Sequence, residues 1–184
     1  LPSKTKSVTV RFSWAAAVQR DIRPPDANAE ICVKFDAKLC TGILVFDSYV
    51  MNVDRHSGNV VVDDPDDPHR IDIIDQDMAV FGCTPGEELK HMARMSEKTA
   101  LLASDCTGAK RHCFLDFIGI EHVGLWLERL SLIPQWFIEE TCREAIGLGV
   151  TKELAEEASR ILVERRKCLG DILEGAKSEF TTIP

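Results

Sequence analysis

The chain has 184 residues, of which 45% are hydrophobic and 28% charged, the balance of one ordinary globular domain. Its 22 basic and 30 acidic residues leave a net charge of −8, which argues against a general binder of nucleic acid or anionic membrane, since either needs a net basic face. Seven cysteines form no C-x-x-C pair, and they read as small apolar residues in a reducing, cytoplasmic setting. No apolar run approaches the roughly 18 residues of a membrane span.

Residues 1–30 read as a connector. LPSKTKS is polar, VTVRF suits one short strand, and SWAAAVQRDI suits a turn or two of helix before Pro24 and Pro25 stop it. Trp14 is expected to pack rather than to stack on a ligand. A first residue other than Met raises the expectation of an excised piece or of preceding residues. Asp26 to Val53 reads as an interrupted helix, with Val33, Phe35, Leu39, Ile43, Leu44, Phe46, Tyr49 and Val50 at three and four spacing. A polar loop follows, holding Asp54, Arg55, His56 and Asn59. Val60 to Val62 and Ile71 to Ile74 then form two β-branched runs around the turn DDPDDPH. That acidic turn lacks the spaced ligands, central glycine and terminal glutamate of a calcium loop, so it is expected to be a solvated turn.

From Pro85 the chain is expected to be helical. One helix should start at Glu87 and Glu88 and run to about Ser104, with DCTGAKRH as a loop after it. Phe114 to Leu130 presents a helix-period face interrupted by two glycines. Pro134 opens another helix, with Trp136, Phe137, Ile138, Cys142 and Ile146 as its buried side and Gly147 and Gly149 at its end. Thr151 reads as the N-cap of a last helix. Its apolar stripe is Leu154, Ala158, Ile161, Leu162, Cys168, Leu169, Ile172 and Leu173, with ERRK on the opposite side. Cys106, His112 and Cys113 form a loose cluster that lacks the fourth ligand of a zinc site.

The hairpin matters chemically because it returns Asp75 beside Asn59 across sixteen residues of sequence. One amide and two carboxylates, Asn59, Asp54 and Asp75, would then share a small volume, which suits a hard cation such as Mg²⁺. Phosphoryl transfer needs that set: an Asp to orient the acceptor hydroxyl, and an Asn and a second Asp to hold metal on the phosphates.

DRHSGN followed by IDQDMAVFG resembles the catalytic and metal-binding loops of the HipA-like and phosphoinositide-3/4-kinase-like branch of the protein-kinase superfamily. LVFDSYVMN resembles the helix leading into that loop. The likeness is specific over residues 38–82. It implies an α+β, mostly α fold: a kinase-like C-lobe at 31–184 with a catalytic-loop hairpin packed on a helical bundle, after a hinge segment at 1–30. Within that lobe it implies a catalytic loop at 52–59, a metal-binding segment at 71–82 and a helical region at 85–180. Residue by residue, Asp54 matches the catalytic Asp, and Asn59 and Asp75 match the groups that bind Mg²⁺ (or Mn²⁺) with ATP. Arg55, His56, Asp47 and Asp77 are expected to support the loop, Asp77 standing where the phosphoinositide-type motif has Gly.

The implied activity is an ATP- and Mg²⁺-dependent phosphotransferase, with a protein Ser or Thr as acceptor. The alternatives are a phosphoinositide-type lipid kinase and a non-catalytic, kinase-derived binding module. No Gly-rich phosphate loop or strand-borne Lys precedes Asp54, and Lys34 in VKF has no room upstream for a five-stranded lobe. An N-lobe is therefore expected to be truncated, lost or supplied by a partner chain. Residues 1–184 alone are expected to hold Mg-ATP weakly, on the order of millimolar, without turnover. An apolar cleft face is expected to favour self-association or capture of such a partner.

Overall fold

The computed structural model describes residues 9–10, 29–76, 78–82, 86–96 and 112–180. They form a mostly helical α+β structure. Strand β1 (Thr9–Val10) runs parallel to β3 (Ile71–Ile73), and β2 (Val60–Val62) runs antiparallel to it, in the order β1-β3-β2. Val60 pairs with Ile73 and Val62 with Ile71, so the four apolar side chains share the buried face. Among the described residues five α-helices accompany the sheet: α1 (Ala29–Val50), α2 (Glu88–Ser96), α3 (Val123–Ser131), α4 (Gln135–Glu144) and α5 (Lys152–Gly175).

Helix α1 is interrupted, as the sequence suggested without saying where. Asp36 leaves helical geometry (φ −156°, ψ 86°), and its carboxylate accepts from the Leu39 amide at 2.9 Å. An N-cap inside the helix thus restarts it in a new direction. From Cys40 to Val50 nearly every residue is buried, so this half of α1 is the axis of the core. Gly42 lets α3 approach it: a Cβ there would lie 2.4 Å from the Trp126 ring, whose Nε1 donates to the Lys38 carbonyl at 2.7 Å. Helix α5, capped by the Thr151 hydroxyl on the Leu154 amide, packs against α1, α2, α3 and α4.

Three expectations need correction. Phe114 to Ile120 is not helical; Phe114, Leu115 and Ile118 are buried from a tight turn, and α3 begins only at Val123. Gly119 and the residues around it interrupt the period that the apolar spacing mimics. On α4 only Ile138 and Cys142 are buried, whereas Trp136 and Phe137 are exposed, as is Ile146 just past its end. A short helix covered on one side cannot bury apolar groups placed all round it. On α5, Arg165 is not on the outer side but buried, its Nε donating to the Ser48 carbonyl on α1 at 2.9 Å.

No helix among the described residues is long and apolar enough to cross a membrane.

Candidate active site

The site begins at the end of α1. Met51 takes a left-handed conformation (φ 54°) and the Asn52 amide donates back to the Asp47 carbonyl at 2.9 Å, a helix ending usually built on glycine. Val80 is also left-handed (φ 55°), and its amide donates to the Val50 carbonyl at 2.8 Å, docking the segment after β3 on the same helix end. The chain is therefore turned sharply at two non-glycine positions that frame the loop, a cost that only well-packed surroundings sustain.

Asp47 sits one turn before that end and is the anchor. Its carboxylate is buried and accepts from Arg55 (Nε–Oδ2 2.8 Å, NH2–Oδ1 3.2 Å), from the Asn52 amide at 3.3 Å, and meets His112 Nε2 at 3.2 Å. Burial alone would raise its pKa. The His112 hydrogen bond and the charge and hydrogen bond of Arg55 outweigh that and hold it below the usual carboxylate range. The Asn52 amide nitrogen also reaches Gln76 Oε1 at 2.9 Å, and its oxygen accepts from the Asp54 amide at 3.3 Å.

Arg55 carries the anchor across to the hairpin. Its NH1 donates to the Asn59 carbonyl at 2.9 Å and to the Ile74 carbonyl at 2.8 Å, while the Ile74 amide donates to that same Asn59 carbonyl at 3.1 Å. One buried guanidinium thus clamps the start of β2 to the end of β3. Asp75 follows Ile74 directly, in a left-handed conformation (φ 58°), and is exposed. Asn59 is buried, and its Nδ2 donates to the Asp54 carbonyl at 2.9 Å, which leaves Oδ1 as the amide atom able to face a cation. The Asp54 side chain is partly exposed, with His56 Nε2 3.8 Å away; His56 Nδ1 accepts from the Gly58 amide at 3.0 Å and so rounds the turn.

Asp47, Arg55, His56, Asp54, Asn59 and the backbone of Asp75 are therefore gathered in one place, with Arg55 and His56 bonded to backbone. Asp77 lies outside the described residues. Lys34 is on the surface of α1, paired with Glu30 at 2.7 Å. Among the described residues no group of three His, Cys, Asp or Glu side chains is placed to hold a metal ion by itself. Of the loose cysteine cluster, Cys106 lies outside the described residues, and His112 is spent on Asp47. A polar groove on α4 and α5, lined by Gln135, Glu139, Ser159 and Arg160 among others, includes no residue of the loop or hairpin.

Two participants escaped the sequence reading. His112 and Cys113 come from far downstream: besides the His112 contact, the Cys113 amide donates to the Arg55 carbonyl at 2.9 Å. Only long-range packing creates these bonds. The one hint in sequence was a polar His preceding the apolar run Cys113 to Leu115.

Comparisons with protein-family models, with curated proteins and with solved structures found no match to this chain.

Proposed function

We propose that the chain carries the catalytic loop and metal-binding segment of an ATP- and Mg²⁺-dependent phosphotransferase of HipA-like type, acting on a protein hydroxyl. The observation that carries this reading is the Arg55 clamp on the Asn59 and Ile74 carbonyls, which ties Asn59 to the residue that precedes Asp75. An amide oxygen and a carboxylate are hard ligands. They are too few to enclose Mg²⁺, but Mg²⁺ commonly takes one or two protein oxygens and completes its shell with water and substrate phosphates. The donor set fits a metal that arrives with its nucleotide.

In this reading Asn59 Oδ1 and the Asp75 carboxylate would hold Mg²⁺, which would neutralise charge on the transferring phosphates. Asp54, at the edge of solvent, orients the acceptor hydroxyl and takes its proton. Asp47 and Arg55 touch neither; they hold the loop. A net charge of −8 favours a protein acceptor over an anionic lipid surface.

The test is paramagnetic. Mn²⁺ added with ATP at millimolar level should broaden the amide resonances of residues 58–60 and 74–76, and Mn²⁺ alone should do so far less. Asp75→Asn should abolish the effect, and Asp54→Asn should preserve it. Broadening elsewhere, or an Asp75→Asn protein that behaves like wild type, rejects the assignment. Labelled ATP offered with protein and with phosphoinositide vesicles decides the acceptor; label only in lipid reverses the choice.

A further inference from the structure

Building on that phosphotransfer reading, we propose that His112 is a positioning residue for the metal-phosphate loop, acting through Asp47 and Arg55 rather than on any substrate. Its role follows from which nitrogen holds the proton. The Phe114 amide donates to His112 Nδ1 at 3.3 Å, so Nδ1 is the acceptor nitrogen. The hydrogen then sits on Nε2, and the ring donates it to Asp47 Oδ2, 3.2 Å away. A neutral imidazole suits the site: His112 is buried beside the Arg55 guanidinium, and an imidazolium there would put a second cation against it.

The geometry gives this bond leverage. Asp47 Oδ2 is shared between His112 and Arg55 Nε, so the imidazole fixes the plane in which the carboxylate meets the guanidinium. The other end of that guanidinium holds the Asn59 and Ile74 carbonyls. One residue further along, the Cys113 amide bonds the Arg55 carbonyl, so side chain and main chain of Arg55 are both fixed from this segment. The turn at 112–115 therefore reaches from the helical half of the chain to the hairpin through one continuous hydrogen-bonded path. Groups that orient metal ligands in this way commonly change metal affinity by about 10–100-fold when removed.

Two substitutions separate positioning from bulk. His112→Gln places an amide nitrogen where Nε2 stood and keeps the donor to Asp47. His112→Asn keeps an acceptor for the Phe114 amide but falls short of the carboxylate. Wild type and both variants are compared as full chains by thermal unfolding, by amide resonances without ligand, and by Mn²⁺–ATP broadening at Asn59 and Asp75. His112→Gln should stay within roughly twofold of wild type, and His112→Asn should weaken the broadening midpoint by about tenfold. His112→Asn should also shift the amides of residues 54–59 while leaving those of α4 and α5 in place.

An Asn variant with wild-type midpoint and unshifted loop amides overturns the proposal. If wild type itself shows no Mn²⁺–ATP effect, the phosphotransfer reading fails. Positioning is then judged by the ligand-free loop amides, and shifts confined to residues 112–115 reject it. If neither variant folds, the imidazole nitrogens of wild type decide: a protonated Nε2 supports the inference, and a protonated Nδ1 overturns it.

Discussion

At the scale of single residues, the loop depends on a carboxylate and a guanidinium that are both buried. Such a pair is weak evidence for net stability, but breaking it strands a charge in the interior. Asp47→Asn should therefore destabilise the protein by roughly 3–5 kcal/mol, measured by urea unfolding. The histidines set the pH response. Burial lowers the pKa of His112, with Arg55 acting the same way and Asp47 opposing. His91 on α2 is lowered by burial and by Arg94, against a raising contribution from the Met51 backbone. As pH falls through about 6.5 the unfolded state takes up protons that the folded state refuses, so stability declines. For His112 alone the slope is at most ~1.4 kcal/mol per pH unit. The lowered Asp47 works at the other end: its contribution is intact above about pH 4 and is lost only as pH falls towards its folded pKa. Unfolding curves between about pH 7 and 5 should steepen below 6.5 in wild type and flatten in His112→Gln. An unchanged slope in that variant would mean that His112 titrates normally in the fold.

At the scale of elements, two contacts set how helices start and meet. Thr151→Ala removes the cap of α5 and should cost about 1 kcal/mol, read as a lower denaturant midpoint. Gly42→Ala drives a methyl into the Trp126 ring and should cost roughly 1–3 kcal/mol, with a change in Trp fluorescence marking the displaced ring. The cap was legible in sequence because Thr-Lys-Glu-Leu opens a clean amphipathic run; the hairpin was legible because two β-branched runs, at Val60–Val62 and Ile71–Ile73, flank a turn of Asp and Pro. What the sequence concealed has a common cause. The burial of Arg165, the exposure of Trp136 and Phe137, the turn at 114–118 and the His112 contact with Asp47 are all set by which element lies opposite, and spacing along one segment carries no information about its neighbour. Asp54, Arg55 and Asn59 stood out because they fall together in one short motif, whereas His112 reaches Asp47 across 65 residues of chain.

At the scale of the whole molecule, that separation has a kinetic consequence. A loop stitched only by its own neighbours opens by itself, but this one is tied at Arg55 to the distant Cys113 amide, and the helix supporting it is tied to His112 across 65 residues and to Arg165 across 117. Closing such long loops is entropically costly and comes late, so the loop should reach its final geometry only when α1 and the turn at 112–115 dock. Once docked, it has no cheap way to open. In hydrogen-exchange measurements the Ile74 and Cys113 amides, which donate to the Asn59 and Arg55 carbonyls, should exchange as slowly as the amides of α1 and respond to denaturant with the same slope. Faster exchange with little denaturant dependence would mark the loop as a separate, locally opening unit. Slow exchange would mean that a region of turns and single hydrogen bonds shares the lifetime of the folded state, so that the opening of the Arg55 clamp and the unfolding of the chain are one event.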